Sequence, residues 1–288
     1  MPNMSLEEFP AVTRIIVSYN SATVLPACLD ALSGVPTIVV DNQSSDQSPA
    51  ICRARDDVHL IEAPGNLGYG AGNNLGLANC ETPYVLIINP DAVLDAENLE
   101  ILLTAAATYP EAALIAPCII NADGSTERTD DRALHRRVGY GRKRIDPRPE
   151  GPMCSEFLSG AVLLARTDIL RSLGGFDERF FLFYEDDDLS WRVIEAGYSN
   201  VLVPAACAIH TSGTSSTPSL RTAYRRDYHM GRSLKLYRLK HLGPSRTLGL
   251  AASEAPILLL KAILRSLSGG WVKASRDWGR LAGLLSAQ

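Results

Sequence analysis

Four consecutive acids, residues 185–188, are the strongest candidates for chemistry in this chain. They follow a largely aromatic run at residues 180–184 and open an apolar pattern of helical spacing that stops near Gly197. The acids therefore begin a predicted helix, where unpaired backbone N–H groups favour the carboxylate form. At about 100° per residue they cannot share one direction. A carboxylate beside an aromatic cleft wall is a candidate general base; the alternative is a solvated helix start without a chemical role.

Asp91 and His210 are candidate ligands of a divalent cation. Asp91 follows an apolar run and Pro90, where a lone aspartate is more often a turn residue. His210 ends an apolar stretch, and a lone histidine is more often structural. Carboxylate, imidazole and diphosphate oxygens together suit Mg²⁺ or Mn²⁺, and such an ion would neutralise a diphosphate leaving group. The two residues therefore predict a metal site if the fold brings them together.

The elements that must position these residues alternate between strands and helices. Apolar, β-branched runs predict strands, and segments of helical spacing lie between them. This alternation predicts right-handed βαβ units and a mainly parallel sheet, with the ligand beyond the carboxyl ends of the strands. The polar, basic residues 126–150 are predicted to form a mobile loop over the cleft. The predicted strands are 13–17, 37–40, 58–61, 84–88, 113–120 and 157–164, and the predicted helices are 23–32, 49–55 and 96–109.

A loop rich in glycine and asparagine, residues 65–76, enters another helix. Neither frame of this loop completes the dinucleotide fingerprint GxGxxG, and the chain contains no GxxxxGK[ST] phosphate-binding loop. The glycines would let the backbone approach a nucleotide closely, and the alternative is a plain tight turn.

Composition predicts a globular protein with an acidic body and a basic tail. Residues 220–288 carry 13 Lys and Arg against 3 Asp and Glu, a net charge of +10, whereas the rest of the chain carries −14. The acidic body argues against a nucleic-acid partner. Six scattered cysteines without a CxxC pair predict reduced thiols and a cytosolic compartment. We expect no signal peptide and no apolar run near the ~20 residues of a membrane span; the nearest run, 255–264, contains Pro256 and Lys261.

The C-terminal region is predicted to be helical and amphipathic. Residues 222–241 form a basic amphipathic pattern, and a later apolar stripe opposes Lys261 and Arg265. Basic amphipathic helices with tryptophans suit an anionic membrane surface. The alternative is that these faces pack on the catalytic domain or in a homodimer. The stripe consists of Ile257, Leu260, Leu264, Leu267 and Trp271.

Seven motifs occur in the order of one known family, across about residues 12–216: IIVSYNS, VVDNQSSD, GNLGYGAGNNLG, LIINPDA, FLSGAVLLAR, GGFDERFFLFYEDDDLSWR and His210 with Gly213 and Ser215. In these motifs the chain resembles family-2 glycosyltransferases of the GT-A fold, especially the bacterial rhamnosyltransferase-like branch. The resemblance implies an α/β catalytic domain at residues 1–216, with a Rossmann-like, mainly parallel sheet. It weakens beyond residue 216, where the amphipathic spacing predicts a helical extension at 217–288. It also implies inverting transfer of a sugar, such as rhamnose, from a nucleotide-sugar to an acceptor hydroxyl in cell-surface polysaccharide synthesis.

The resemblance assigns roles to individual residues. Asp186, second in the family's Glu-Asp pair, would be the catalytic base, and Asp91 and His210 would bind Mg²⁺ or Mn²⁺. Asn89 stands where the family's DxD motif has its first acid, which leaves one charged ligand in that motif. Asp187 stands where an apolar residue is usual. The implied nucleotide-binding residues are Ser18, Tyr19, Asn20, Asp41, Asn66, Gly68, Asn73 and Asn89, and those near the donor sugar or acceptor are Ser159, Gly160, Glu185 and Asp187.

The same resemblance bounds the partners. The donor would be linked to dTDP, UDP or GDP, the acceptor would be a glycan or a polyprenyl-linked sugar, and the enzyme would be cytoplasmic and peripheral on the inner face of the cytoplasmic membrane. One alternative is a nucleotidyltransferase, whose glycine-rich loop should lie near the N-terminus with a basic residue. The other is a non-catalytic sugar-nucleotide or glycan-binding protein that keeps the fold, and the intact set Asp91, Asp186 and His210 counts against it.

Overall fold

The computed structural model describes residues 11–127, 129–131, 149–211 and 219–287. Its first half alternates strands and helices as predicted, and every residue of the first two strands is buried. These elements are β1 (Val12–Ser18), α1 (Leu25–Ala31), β2 (Thr37–Asp41), α2 (Ser48–Arg53), β3 (Val58–Glu62), α3 (Tyr69–Ala78) and β4 (Tyr84–Ile88).

The second half adds short strands around the site and a helical C-terminus. Its elements up to the last strand are β5 (Ala92–Val93), α4 (Ala96–Thr108), β6 (Ala112–Asn121), β7 (Thr126–Glu127), β8 (Asp130–Asp131), β9 (Met153–Cys154), β10 (Phe157–Leu158), β11 (Val162–Arg166), α5 (Thr167–Ser172), α6 (Glu185–Glu195) and β12 (Ser199–His210). The C-terminal helices are α7 (Leu220–His241), α8 (Pro244–Leu267) and α9 (Trp271–Leu285).

The main sheet has the strand order β3-β2-β1-β4-β11-β6-β12-β5. Strands β3, β2, β1 and β4 pair in parallel, as do β6 and β12, whereas β11 runs antiparallel to both β4 and β6. The longer strands other than β11 therefore share one direction, and their carboxyl ends meet at one edge. This edge carries the polar residues that the sequence places after each strand.

Two apolar layers cover the sheet. Ile16 packs with α1 and α4 on one face, whereas Ile15 packs with α3, α5 and α6 on the other. Successive side chains of a strand point to opposite faces, so this pair of neighbours serves both layers. Each fully buried residue of this size stabilises the fold by about 1.5–3 kcal/mol.

Two predictions for the middle of the chain are changed by the structure. The predicted strand 157–164 is wrong as a single element, because β10 ends at Leu158 and β11 begins at Val162. Between them, Gly160 N donates to Asp186 at the start of α6. Of the predicted loop at 126–150, four residues form β7 and β8, and residues 128 and 132–148 lie outside the described part of the chain.

The helix α7 packs against the part of the chain that contains the sheet. Leu234, Leu236 and Tyr237 form an apolar cluster with Phe157 and Phe180. The predicted domain boundary at residues 216 and 217 falls in 212–218, outside the described residues. Part of the apolar face of residues 222–241 is thus covered, which supports the alternative that this face packs on the rest of the chain, whereas Tyr224 is 39% exposed.

An ion-pair network fastens α7 to α6. Asp188 is fully buried and accepts from Arg192 (2.8 Å), Lys240 (2.7 Å) and His241 (2.7 Å). Burial alone would raise the pKa of Asp188, but these three partners outweigh it and lower the pKa. The pair Asp188–Arg192, one helical turn apart, is thus part of a larger network.

The helices α8 and α9 form a hairpin against α7. An added Cβ at Gly279 or Gly283 would overlap the carbonyl oxygens of Tyr224 and Tyr228, so only glycine permits this approach. The helix α8 is 24 residues long, continues through Pro256, and is long and apolar enough to cross a membrane. The expectation that no apolar run comes near the length of a membrane span is corrected on this point.

Candidate active site

The ends of β1 and β2 form a polar cradle. Ser18 is fully buried, whereas the Tyr19 ring is 46% exposed beyond the strand end. Asn20 has a left-handed backbone (φ 53°), its N–H donates to Ser44 Oγ (2.9 Å) and its Oδ1 accepts from Ser45 N (2.8 Å). The loop after β2 is thereby tied to the end of β1, and Tyr19 is left free to face a planar ligand.

Buried acceptors in this cradle lack partners within the described part of the chain. Asp41 Oδ2 accepts from Ser44 N (2.9 Å), but its Oδ1 has no hydrogen bond. The same holds for Ser18 Oγ, Asn42 Oδ1 and Asn73 Oδ1. Buried polar atoms are nearly always paired, so these acceptors point to a ligand that brings donors, as a nucleobase does.

The glycines of the glycine-rich loop allow close packing against neighbouring segments. An added Cβ at Gly68 (φ 86°) would overlap Phe181 O, and Tyr69 N donates to that oxygen (3.0 Å). Gly72 lies against Val17 in the same way, at 2.8 Å from a built Cβ. Asn66 Oδ1 accepts from Gly68 N (3.1 Å). The glycines therefore let α3 approach β1 and the aromatic run closely, and a nucleotide contact at Gly68 and Asn66 stays a prediction.

Asn73 and Asn42 are held inside this loop. The Asn73 side chain is 2% exposed and its Nδ2 donates to Tyr69 O (3.0 Å). Asn42 Nδ2 donates to Gly68 O (2.9 Å), which ties the end of β2 to the loop. Sequence reasoning gave no role to Asn42, although it follows Asp41 directly. The Asn42 side chain thus holds the cradle in place against the glycine-rich loop.

Asp91 and His210 are brought together as predicted. The strand β5 pairs with β12 so that His210 lies opposite Ala92, and His210 Nε2 lies 3.1 Å from Asp91 Oδ1. Thr211 N donates to Asp91 O (3.0 Å), which fixes the turn. The Asn89 amide lies 3.5 Å from the same ring nitrogen. A carboxylate, an imidazole and an amide thus converge on one point.

Glu127 is a residue of this site that the sequence does not indicate. Its Oε2 lies 3.0 Å from His210 Nδ1, on the other side of the ring from Asp91. The hairpin of β6 and β7 places it there, because β6 pairs with β12. An acceptor on Nδ1 selects the tautomer in which Nε2 is free to bind an ion. The 83 residues between the two side chains leave no local signal for this contact.

The two carboxylates also set the charge of His210. Burial lowers the pKa of His210, but the hydrogen bonds with Asp91 and Glu127 outweigh that effect and raise it to about 8. When no metal ion is bound, the positive charge of the protonated His210 ring therefore offsets the negative charge of Asp91 and Glu127.

The donor set fits a divalent cation that shares its ligands with a diphosphate. Within the described ranges, no group of three or more His, Cys, Asp or Glu side chains is placed to hold an ion. Asp91 Oδ1 and His210 Nε2 supply two ligands. Mg²⁺ and Mn²⁺ commonly take few protein ligands and complete their shells with phosphate oxygens and water. Because Asn89 supplies no second carboxylate, an ion bound by Asp91 and His210 would need diphosphate oxygens to complete its shell.

Asp186 is the accessible carboxylate of the acidic cluster. Its Oδ2 accepts from Gly160 N (3.1 Å) and its Oδ1 from Asp187 N (3.0 Å). Gly160 O in turn accepts from Tyr69 OH (2.6 Å). Three segments, the starts of α3 and α6 and the break after β10, therefore converge on Asp186. Like Glu127, Tyr69 is a positioning residue that the sequence does not indicate.

The other acids of the cluster are buried. Glu185, Asp187 and Asp188 are 5%, 1% and 0% exposed, so the structure gives Glu185 and Asp187 little surface to a bound sugar. Burial, and then the neighbouring carboxylates of Asp186 and Asp187, raise the pKa of Glu185 well above its usual value.

Two strained residues precede this helix. Phe183 (φ 69°) and Tyr184 (φ 66°) both have left-handed backbones, which bulky residues rarely adopt. Such strain costs about 1–3 kcal/mol per residue and collects at functional sites. Here it turns the chain sharply before Glu185, so that Asp186 meets Gly160.

The candidate base and the candidate metal ligand Asp91 are connected through the residues between β10 and β11. Asn89 N donates to Ala161 O (2.9 Å), and the preceding residue, Gly160, bonds Asp186. Ser159 N donates to Thr129 O (2.8 Å) at the same break in the sheet. Through this break in the sheet, Asp186 is connected to the segment that carries Asn89 and Asp91.

Comparison with known proteins places this geometry in context. Residues 13–162 match the family described as glycosyl transferase family 2. An N-acetylglucosaminyl-diphospho-decaprenol L-rhamnosyltransferase of Mycobacterium tuberculosis is 30% identical over 239 residues, which cover 72% of this chain and 74% of the relative. A pre-mycofactocin glycosyltransferase of the same organism is 31% identical over 279 residues, covering 96% of this chain and 55% of the relative.

A solved structure shares the whole architecture. A mannosyltransferase from Pyrobaculum calidifontis, in complex with GDP-Man and Mn²⁺, superposes with a TM-score of 0.59 at 17% sequence identity. The superposition covers 97% of this chain and 88% of that one. The likeness includes the C-terminal helices and shows a common fold.

Proposed function

The chain belongs to glycosyl transferase family 2 and has the predicted GT-A fold, and on this basis we propose that it transfers a sugar with inversion from a nucleotide-sugar to an acceptor hydroxyl. The observation that carries the proposal is Asp186, an accessible carboxylate held by Gly160 N at 3.1 Å beside the Asp91–His210 pair. The family match disfavours both a nucleotidyltransferase and a non-catalytic binding protein.

The proposed reaction is a single in-line displacement. The acceptor oxygen forms a bond to the anomeric carbon while the bond from that carbon to the diphosphate oxygen breaks. Asp186 takes the proton of the acceptor hydroxyl, and the nucleoside diphosphate leaves with the electron pair. One base is sufficient, because inversion requires no covalent intermediate on the protein.

Asp91 Oδ1 and His210 Nε2 would hold Mg²⁺ or Mn²⁺ together with the donor diphosphate. The bound ion supplies Lewis-acid neutralisation of the leaving group. Glu127 orients His210 from the other ring nitrogen, and Asn89 supplies a neutral amide at the same point. This assignment is supported by the donor set and by the geometry of the pair.

The cradle at the ends of β1 and β2 would bind the nucleoside. Tyr19 would stack on the base, and the unpaired Asp41 Oδ1 would accept from a ring N–H, as found in uracil, thymine and guanine. Ser18 and Asn20 would complete this contact. These acceptors support donors linked to dTDP, UDP or GDP.

The proposed acceptor is a lipid-linked glycan, and the proposed sugar is a hexose such as rhamnose. The support is the name of the 30% identical relative, which transfers L-rhamnose to a decaprenyl-diphosphate-linked sugar. An enzyme that acts on a lipid-linked acceptor would be located at the inner face of the cytoplasmic membrane. Its role would be in cell-surface polysaccharide synthesis.

Donor binding and turnover test the proposal. Purified protein is screened with dTDP-, UDP- and GDP-sugars for a rise in melting temperature, with Mn²⁺ or with EDTA. The stabilising donor is then incubated with a polyprenyl-diphosphate-linked sugar or a soluble analogue, and the anomeric configuration of the product is read by NMR. Retention of the anomeric configuration would contradict the assignment of the base. Donor binding that is the same with Mn²⁺ and with EDTA would contradict the assignment of the metal ligands.

A further inference from the structure

An apolar stripe on α8 is left uncovered by the rest of the fold. Ile257, Leu260, Leu264 and Leu267 are 54%, 58%, 55% and 80% exposed, and Trp271, at the start of α9, is 60% exposed. The α8 positions recur every three or four residues and therefore share one side of the helix. Soluble monomers rarely expose a continuous apolar patch of this kind unless it binds something.

Other positions of α8 are fastened to the protein. Glu254 accepts a bidentate pair of bonds from the buried Arg238 of α7 (2.7 and 2.8 Å). Trp278 Nε1 donates to Ser266 Oγ (3.3 Å), and Ala262 is fully buried. The stripe therefore lies on a fixed support and faces outward because of how α8 packs.

The charge around the stripe is positive. Lys261 follows Leu260 on α8, Lys273 lies two residues after Trp271 on α9, and both are exposed. The acids of the C-terminal helices are each paired with an arginine, so they do not offset these cations. The pairs are Arg238–Glu254, Arg265–Asp277 and Arg276–Asp227. The apolar stripe is thus combined with cations and a tryptophan, which is the composition of helices that bind anionic lipid.

We infer that this stripe is a membrane-docking face, and that α8 lies in the plane of an anionic bilayer with its stripe among the acyl chains. A second copy of the chain is a poorer occupant, because a two-fold contact through the stripe would bring Lys261 and Lys273 toward their own counterparts. Anionic headgroups instead complement both.

The bonding of α8 argues against a transmembrane orientation. Glu254 lies near the middle of the helix and is held by Arg238. A spanning orientation would pull this pair apart or carry it, with Lys261, into the hydrocarbon, and ionised groups there are strongly disfavoured. In the plane of the bilayer, only the stripe enters the apolar layer.

The inference deepens the proposed function and rests on it, because a lipid-linked acceptor would be presented at that surface. The helix α7 joins α8 to α6 through Arg238 on one side and the Asp188 network on the other. Docking of α8 would thereby fix the orientation of the helix that carries Asp186.

Vesicle co-sedimentation of the full chain tests the docking face. Phosphatidylcholine vesicles with phosphatidylglycerol are compared with phosphatidylcholine alone, and binding should favour the anionic vesicles and fall with salt. The triple variant Leu260→Gln, Leu264→Gln and Leu267→Gln should lose binding, since each buried leucine contributes about tenfold or more. Leu248→Gln is the matched control, because Leu248 is 73% exposed on another side of the same helix.

Two further readouts separate docking from a general loss of fold. Lys261→Gln leaves the stripe intact and should weaken binding by about fivefold. The emission of Trp271 should shift to the blue with anionic vesicles, and Trp271→Phe should remove that shift. Circular dichroism and transfer to a soluble acceptor should be unchanged in all these variants, so a failure of docking is distinguishable from a failure of the proposed reaction.

Several outcomes would overturn the inference. They are no adsorption to either vesicle, adsorption that survives the triple variant, or a dimer in solution that the triple variant dissociates. Retention of the protein on vesicles after alkaline carbonate extraction would overturn the in-plane orientation and indicate a spanning helix.

Discussion

Replacing Asp186 by asparagine tests the centre of the proposed mechanism. The carboxylate accepts two backbone hydrogen bonds, from Gly160 N (3.1 Å) and Asp187 N (3.0 Å). The amide oxygen of asparagine can keep one of them, so the loop and the start of α6 should stay in place at a cost of about 1 kcal/mol in stability. The amide cannot, however, accept the proton of the acceptor hydroxyl.

The expected loss is therefore in turnover. Removal of a general base costs about 10²- to 10⁴-fold in rate, which corresponds to roughly 2.7–5.5 kcal/mol of transition-state stabilisation. Donor affinity should stay unchanged, because the proposed mechanism assigns Asp186 to the acceptor and Asp91 to the donor. Initial rates at saturating donor measure the first effect, and calorimetry of donor binding with Mn²⁺ measures the second.

Asp187→Asn is the matched control. Asp187 is 1% exposed, so its substitution should lower stability more than turnover per folded molecule. If Asp187→Asn is inactive while Asp186→Asn turns over normally, the assignment of the base is wrong by one residue. If both retain activity, another group accepts the proton, and the proposed role of α6 fails.

Three further predictions concern the metal ligands and the supports of the site. Asp91→Ala should abolish Mn²⁺-dependent donor binding. Glu127→Gln should weaken Mn²⁺ affinity about 10- to 100-fold, because Glu127 orients His210. Calorimetry with Mn²⁺ and nucleoside diphosphate measures both effects, and full Mn²⁺ affinity in Glu127→Gln would contradict the orienting role. Asp188→Asn should lower the free energy of unfolding by about 3–5 kcal/mol at pH 7. Because the pKa of Asp188 is lower in the folded state, this difference in the free energy of unfolding is present above the ordinary aspartate pKa and should disappear as the pH falls below that value. Urea titrations at several pH values measure it, and a difference independent of pH would refute the network. Gly68→Ala should be more destabilising than Gly174→Ala, since both have positive φ but only Gly68 faces Phe181 O; equal melting temperatures would contradict this packing.

Local sequence was enough to predict the strands of the first half and the polar residues at their ends. The run at 84–88 predicts a strand with the bounds of β4, and Asp41, Asn89 and Asp91 lie at strand ends, as their positions in the sequence indicate. Both results come from local chemistry: β-branched apolar runs form buried strands, and short polar residues end them. The family motifs then identify Asp186 and His210, whose places at a helix start and a strand end agree with the structure.

The packing of distant segments, in contrast, determines which acid is accessible and how the site is braced. The periodicity of 185–188 shows that the four acids diverge, but not that Gly160 and Tyr69 meet Asp186 or that Asp187 faces the interior. Glu127 reaches His210 because β6 pairs with both β7 and β12, and a contact across 83 residues has no local signature. Likewise, the stripe on α8 can be recognised as apolar from spacing alone, but not as exposed. Periodicity fixes which side chains share a face, because that is a property of one helix; whether the face is covered depends on its neighbours.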